Sequence, residues 1–401
     1  MHRRFLLQLL AALWLFYPAY EGRAETFRFQ YAEGEQYRIV SQVDQEVFIN
    51  GVFSHRADIL NRIAVSVTGV EEGSGILDVV FQTSERAYGE SGLYEWAEDY
   101  QSGYTRDSLG AYDIESKFFM PVVRNVPLFP MRDVEIGESW SGTGEEVHDF
   151  RTNFGVPDAY RFPIDVSYRY LGSEELEGKT YDLISIRYAV FHKAAPQYSI
   201  ELYPVRITGY SDQMLYWDNT VGRPFHYSEE YDFLVTLSSG DEVEYVGIAE
   251  ATIVEATRMD KVDIAEEIRE ELDRAEVSAD VRVSDVGVTL SLENIQFLPD
   301  SAILMTSEKE KLDVVADILK RYPERDIMIG GHTALAGTEA GRLALSDERA
   351  RAVGLYLLEI GARTQEQIVT RGFGATQPIA DNSTEEGMSR NRRVEITILE
   401  N

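Results

Sequence analysis

From Thr26 to about Glu255 apolar and polar residues alternate, and this period of two commits the longer part of the chain to β structure before any other feature is weighed. Tyr37, Ile39, Val43, Val47 and Ile49 mark one such run. It ends at Asn50-Gly51, the pair best suited to the two positive φ angles of a tight hairpin turn. The return run Ile63–Val67 ends at Glu71-Glu72-Gly73-Ser74-Gly75, and Ile76–Phe81 opens a third strand. Phe118–Trp140 is less regular, because Pro121, Pro127 and Pro130 each remove a ladder donor. Alternation resumes in Ile164–Tyr170, Tyr181–Phe191, Ile200–Ile207, Met214–Trp217, Tyr227–Thr236 and Val243–Val254, with turns at Gly172, Gly178, Gly222 and Gly240.

An antiparallel sandwich or a strongly curved sheet fits this count. The break near Phe150–Tyr160 divides the region into residues 25–150 and 151–256, the second being either a separate β-rich domain or a continuation of the first. The many tyrosines and phenylalanines suit packing across strand pairs. They equally suit an apolar groove or cavity for a lipid or a peptide, although no constellation of residues selects the ligand. An outer-membrane β-barrel is a further alternative, since its strands have about this length. Against it, Arg169 and Asp182 sit mid-strand, and Asp44 and Glu46 share a strand.

The period changes in residues 257–279, where Ile264, Ile268 and Leu272 form one apolar stripe on a charged connecting helix. Val281–Leu292 then predicts a hairpin. Ser307-x-x-Glu310 has the form of a capping box, opening a helix that buries Leu312, Val315, Ala316 and Leu319 and stops before Pro323. Ile327–Ile329 predicts a strand, and a second helix is expected to bury Leu343, Ala350, Val353 and Leu357 and to close at Gly361, with Asp347 and Arg351 paired on its solvent face. Ile368–Gly372 and Val394–Leu399 supply the last strands. Right-handed crossovers place both helices on one side of a mixed sheet.

Three ordered blocks stand in this last part: Asn294–Leu304 (NIQFLPDSAIL), Ile327–Val353 with its Gly331-His332-Thr333 and Ser346-x-x-Arg349-Ala350 runs, and Arg371–Ile396 with Asn391-Arg392-Arg393. Together they resemble the OmpA-like peptidoglycan-associating family over residues 280–401. The expected fold class is therefore α+β and multidomain: an all-β N-terminal region followed by an OmpA-like α/β domain with helices packed on a mixed sheet. The resemblance implies a peptidoglycan pocket at the loop after Ile329. In the family an acidic residue after G-H-T meets the ammonium of the wall's diamino acid, and the arginine of S-x-x-R-A holds its carboxylate.

Here Arg349 is present, but Ala334 occupies the acidic position, Arg342 stands where an asparagine is usual, and Ala375 replaces a glutamate. A zwitterionic group needs a cation, best a planar arginine fork, and an anion. Losing one partner of a buried charge pair costs about 2–5 kcal/mol, roughly 30-fold or more in affinity. Weakened or altered recognition of the diamino acid is therefore expected. Thr333 and His332 are candidate rim donors, Asn391 a tie between strand and loop, and Arg392 or Arg393 a further pocket cation. Arg342 with Arg349 forms a doubly cationic face, and Glu339, Asp347 and Glu348 are the acids near enough in sequence to compensate for Ala334.

The N-terminus reads as an export signal over residues 1–24: His2-Arg3-Arg4, then the apolar Phe5–Tyr17, then Gly22-Arg23-Ala24. It points to the periplasm, with outer-membrane association. With no cysteine, the chain offers neither a disulfide nor a lipid-modified N-terminal cysteine. The net charge of -31 argues against nucleic acid as a partner. Envelope proteins and peptidoglycan are the expected partners, with no cofactor. Enzyme chemistry is not expected either, since His55, His148, His192, His226 and His332 show no metal-ligand spacing and no nucleophile motif occurs.

Overall fold

The computed structural model describes residues 24–400 apart from 88–91, 177, 196–200, 256–258, 285, 294, 296 and 298–301; the expected export signal, residues 1–24, falls almost wholly outside them. Twelve strands precede the first long helix: β1 (Gln36–Ile49), β2 (Val52–Glu71), β3 (Ser74–Ala87), β4 (Tyr94–Arg106), β5 (Tyr112–Ile114), β6 (Val123–Arg124), β7 (Ser139–His148), β8 (Tyr160–Leu176), β9 (Lys179–Lys193), β10 (Pro204–Asp218), β11 (Arg223–Leu237) and β12 (Glu242–Glu255). The turn between β1 and β2 is built as expected, with Asn50 at φ 51° and Gly51 at φ 74°. Sequential antiparallel pairing runs from β1 to β5 and from β6 through β12, except that β5 and β6 do not pair. β1 also pairs with β12, so residues after the short helix α1 (Arg151–Phe154) continue the sheet that precedes it.

The sheet curls until β4 and the segment before β6 face each other. There Ser102 Oγ donates to Met120 O at 2.7 Å, and beside it the Tyr100 hydroxyl donates to Asp149 Oδ2, just after β7, at 3.1 Å. Burial follows strand parity most sharply on β8. Tyr160, Phe162, Ile164, Val166, Tyr168 and Tyr170 turn inward onto Phe27, Phe129 and Trp217, while Arg161, Pro163, Asp165, Ser167 and Arg169 turn outward. Aromatics therefore do fill strand pairs on this flank, where Trp140 stacks on Tyr168 with centroids 5.3 Å apart.

Two strands depart from expectation. Ile200–Ile207 and Met214–Trp217 were expected as separate strands, but β10 is one element, because Gly209 carries the ladder opposite Phe233. A Cβ at Gly209 would meet the Phe233 ring at 2.6 Å, so this glycine admits a close neighbour and does not turn the chain. β4 has no counterpart in the pattern, since Glu95, Glu98 and Asp99 interrupt its apolar residues.

The C-terminal part has α2 (Lys261–Arg274), β13 (Asp280–Ser284), β14 (Gly287–Glu293), α3 (Thr306–Leu319), β15 (Ile327–Gly331), α4 (Glu339–Glu359), β16 (Ile368–Gly372), α5 (Glu385–Asn391) and β17 (Arg393–Leu399). Its sheet order is β13-β14-β17-β15-β16, with β15 and β16 parallel. Ile268, Leu272, Leu312, Val315, Leu319, Val353 and Leu357 from the helices share one core with Val288, Leu290, Ile327, Ile329, Ile396 and Ile398. The strand residues in that set alternate, so all three helices cover one face.

Corrections arise at the helix ends. The capping box does not form: Leu304 bridges to Phe297 and keeps Met305 extended, so α3 starts at Thr306 and Ser307 lies inside it. Leu343 is 51% exposed, because the first turns of α4 extend past the strand ends at Gly331 and Gly372; burial begins at Ser346. Arg351 reaches Glu95 on β4 at 3.3 Å, and its positive charge also acts on Asp347.

The two parts are joined by backbone as well as side chains. Tyr94 and Glu95 pair in parallel with Val369 and Thr370, extending the C-terminal sheet by β4. Leu93 just before them is fully buried in the C-terminal core, lodged over Gly354, where a Cβ would stand 2.3 Å from its methyl group.

Candidate functional site

The ends of β15 and β16 lie beside the start of β17, and the loops at this edge carry the residues singled out in the sequence. Gly331 is required here: a Cβ would lie 1.9 Å from the Ser346 carbonyl oxygen, so only glycine lets the strand end press against the backbone of α4. The Ser346 hydroxyl clamps the same spot, donating to Leu343 O at 2.7 Å and accepting from Gly374 N at 2.9 Å. His332 N then donates to Arg393 O and Thr333 N to Gly374 O, which fixes the loop between β16 and β17.

His332 is almost fully buried and stacks on Phe373, centroids 4.9 Å apart and planes 7° from parallel. Its Nε2 lies 3.5 Å from Glu395 Oε2. Burial pushes the imidazole pKa down despite Glu395, so the ring is the neutral form. At Glu395 burial raises the carboxyl pKa but is outweighed by His332 and Arg393, which hold it well below the ordinary carboxylate range. Glu395 also pairs with Arg282.

Asn391 is a structural tie, as expected. Its Oδ1 accepts from Ile379 N and Ala380 N at 2.8 and 3.0 Å, and its Nδ2 donates to Ala380 O and Asn382 Oδ1. Arg393 is buried, with Nε donating to Glu395 Oε1 at 2.7 Å and Nη2 to Gln377 O, while Arg392 is exposed. The hydrogen bonds of Asn391 engage both ends of its amide, whereas Arg393 Nη1 is buried without a hydrogen-bond partner among the described residues.

The remaining candidates gather at the start of α4. Arg349 lies half-buried with its guanidinium 4.9 Å from the Phe297 ring centroid. Arg342 folds back so that Nη1 donates to Gly337 O at 2.6 Å. Ala334 is 5% exposed, and the buried Thr333 hydroxyl beside it makes no hydrogen bond among the described residues. Of the compensating acids, Glu339 and Glu348 are exposed, and Asp347 is turned to the Gly372 N–H, its pKa raised chiefly by burial. Phe297 and Phe373, the aromatic supports of the two candidate side chains, were not singled out in the sequence; their signal was position beside the strand ends.

The sequence model of the OmpA family matches residues 296–392. These residues form an OmpA-family domain. The OmpA-like domain is similar to the peptidoglycan-binding protein ArfA of Mycobacterium tuberculosis, with 41% identity over 104 residues, 26% of this chain and 32% of that protein. It is also similar to the probable lipoprotein YiaD of Escherichia coli, 39% identical over 105 residues, 26% of this chain and 48% of that one. Among solved structures, an outer membrane protein from Borrelia burgdorferi B31 is 34% identical, covering 31% of this chain and 98% of that one, with a TM-score of 0.26. The chain thus spans between 32% and 48% of the length of these two curated relatives.

Proposed function

We propose that the protein is an exported, periplasmic component of the cell envelope whose OmpA-like domain associates with peptidoglycan through an altered pocket. Arg349 supplies the carboxylate clamp, set over Phe297. The observation that carries the reading is the Ala334 methyl group, nearly buried where the family places an acid. A ligand's ammonium finds no carboxylate there, so the pocket favours an anionic or differently substituted wall group. The relatives named for peptidoglycan binding support the partner; the altered preference rests on Ala334, Arg342 and Arg349 of this chain.

The test is sedimentation of the chain lacking residues 1–24 with purified peptidoglycan sacculi. Co-sedimentation that Arg349→Ala abolishes is the expected result, whereas indifference to that substitution overturns the clamp. A second reading, a scaffold that does not bind the wall and whose β region carries a lipid or a peptide, is favoured by one observation: the curled sheet encloses a cavity of about 970 Å3. The barrel alternative gains no support from β8, whose outward face is charged and polar.

A further inference from the structure

The cavity of the curled sheet is lined on one side by β1 to β4 and on the other by β7, β9, β11 and β12. Phe81, Tyr188, Tyr227, Tyr231, Phe233 and Tyr245 supply its aromatic wall. Its charges have one sign. Glu85, Glu98, Glu146, Asp149 and Glu229 line it, and among the described lining residues there is no lysine or arginine. Asp149 at the rim is answered by Arg151 at 2.6 Å. Among the described residues Glu146 and Glu229 face no lysine or arginine, and Glu146 has only the imidazole of His148 beside it.

Glu146, on β7, is 2% exposed. Its Oε2 meets His148 Nε2 at 2.8 Å, and the buried Tyr188 hydroxyl lies against the same carboxylate. Glu229, on β11, accepts from Ser211 Oγ at 2.6 Å and Gln213 Nε2 at 3.2 Å. Its carboxyl is pushed up by burial and, further, by Glu146. Two carboxylates facing one cavity repel each other, and burial disfavours their charged forms. A ligand cation answers both. Among the described residues no group of three or more metal-binding side chains is assembled, and a hard metal ion needs about six oxygen ligands. The aromatic wall instead suits an organic cation, which aromatic faces attract, attached to an apolar body.

We propose that this cavity binds a small organic ammonium ion bearing an apolar chain, with Glu146 and Glu229 taking the charged head and the aromatic wall the chain. The proposal rests on the reading that the β region carries a ligand and names its chemistry; it is independent of wall binding. A fatty-acid carboxylate is the wrong sign for this site.

The test is calorimetric titration of the chain lacking residues 1–24 with n-octylammonium, octan-1-ol, octanoate and ethylammonium. One octylammonium should bind per chain, at least about tenfold more tightly than each of the others, the factor expected for one charge-assisted hydrogen bond. Glu146→Gln and Glu229→Gln should each weaken it by about tenfold with the folded near-ultraviolet spectrum retained. Equal binding of octanol or octanoate overturns the cationic specificity and leaves a ligand-carrying β region. Equal binding of ethylammonium overturns it too, reducing the effect to surface attraction by an acidic protein. No binding of any probe overturns both, and unchanged affinity in the two folded variants overturns the assigned carboxylates.

Discussion

Arg62 on β2 and Asp326 ahead of β15 meet at 2.7 Å, and the arginine side chain is 1% exposed. This pair crosses from the outer face of the curled sheet to the OmpA-like domain. Arg62 also donates to Glu366 O, and Arg38 adds a second, looser contact to Asp326 at 3.6 Å. Breaking a buried pair by removing one partner leaves the other uncompensated. Arg62→Ala is therefore expected to destabilise by about 3 kcal/mol, with Arg38 recovering part of the loss. Urea unfolding followed separately in each part should show the transitions drawing apart. A single, unshifted transition would mean that the β4–β16 pairing holds the parts together without Arg62.

Gly331→Ala tests the other tight junction. The added methyl would fall on the Ser346 carbonyl, a backbone atom with no rotamer to yield. Overpacking of this sort costs about 1–3 kcal/mol, and the upper end is expected here. The readout is the melting temperature of the full chain together with loss of protection at the Gly374 amide, which Ser346 now holds. An unchanged melting temperature would show that α4 slides without cost.

Acid should loosen the same region in two stages. His332 has a folded pKa lowered by burial, so as pH falls below about 6.5 the unfolded chain takes up a proton that the folded chain refuses. Its stabilising neutral state is complete above that pH and lost on acidification. Glu395, held low by His332 and Arg393 against its burial, behaves likewise from about pH 4.3 downward. The cations facing it are Arg393 and Arg282. Each group contributes at most roughly 1.4 kcal/mol per pH unit inside its window. Urea midpoints at pH 7.5, 5.5 and 4 should fall in turn, and His332→Gln should abolish the first drop and shrink the second, because it also removes one of the two groups that hold Glu395 low.

Much of this architecture is legible in the sequence where local chemistry decides it. Asn50-Gly51 specifies its turn without help from distant residues, and the three motif blocks locate the C-terminal domain. Strand β4 is not legible, because its acids erase the alternation and its start is held by β16, far along the chain, as well as by the neighbouring β3. Glu146 and Glu229 are hidden for another reason. In so acidic a chain no single glutamate stands out, and which parity faces the cavity is decided only when β7 and β11 are brought to face β2 and β3. Asn391 reads as a tie in sequence and makes one in the fold, whereas the partner of Arg393 Nε, Glu395 two residues on and on the same strand face, is not announced by any motif.

Ala334 offers the sharpest test of the wall-binding reading. Ala334→Asp places a carboxylate at the family's acidic position, beside the unpaired Thr333 hydroxyl that can donate to it. In the free protein a buried acid is costly, so the variant should lose about 1–3 kcal/mol of stability. In the presence of a wall bearing a diamino acid the same carboxylate should gain affinity by roughly 30-fold, the converse of losing one partner of a buried charge pair. Sedimentation with diaminopimelate-containing sacculi should therefore rise in Ala334→Asp and return to baseline in the double variant with Arg349→Ala, because each charge holds one end of the zwitterion. A gain that survives the loss of Arg349 would mean that the acid acts alone and that the guanidinium over Phe297 serves the fold. No gain at all would mean that Arg342, at the position where the family has asparagine, has already closed the pocket to a zwitterion.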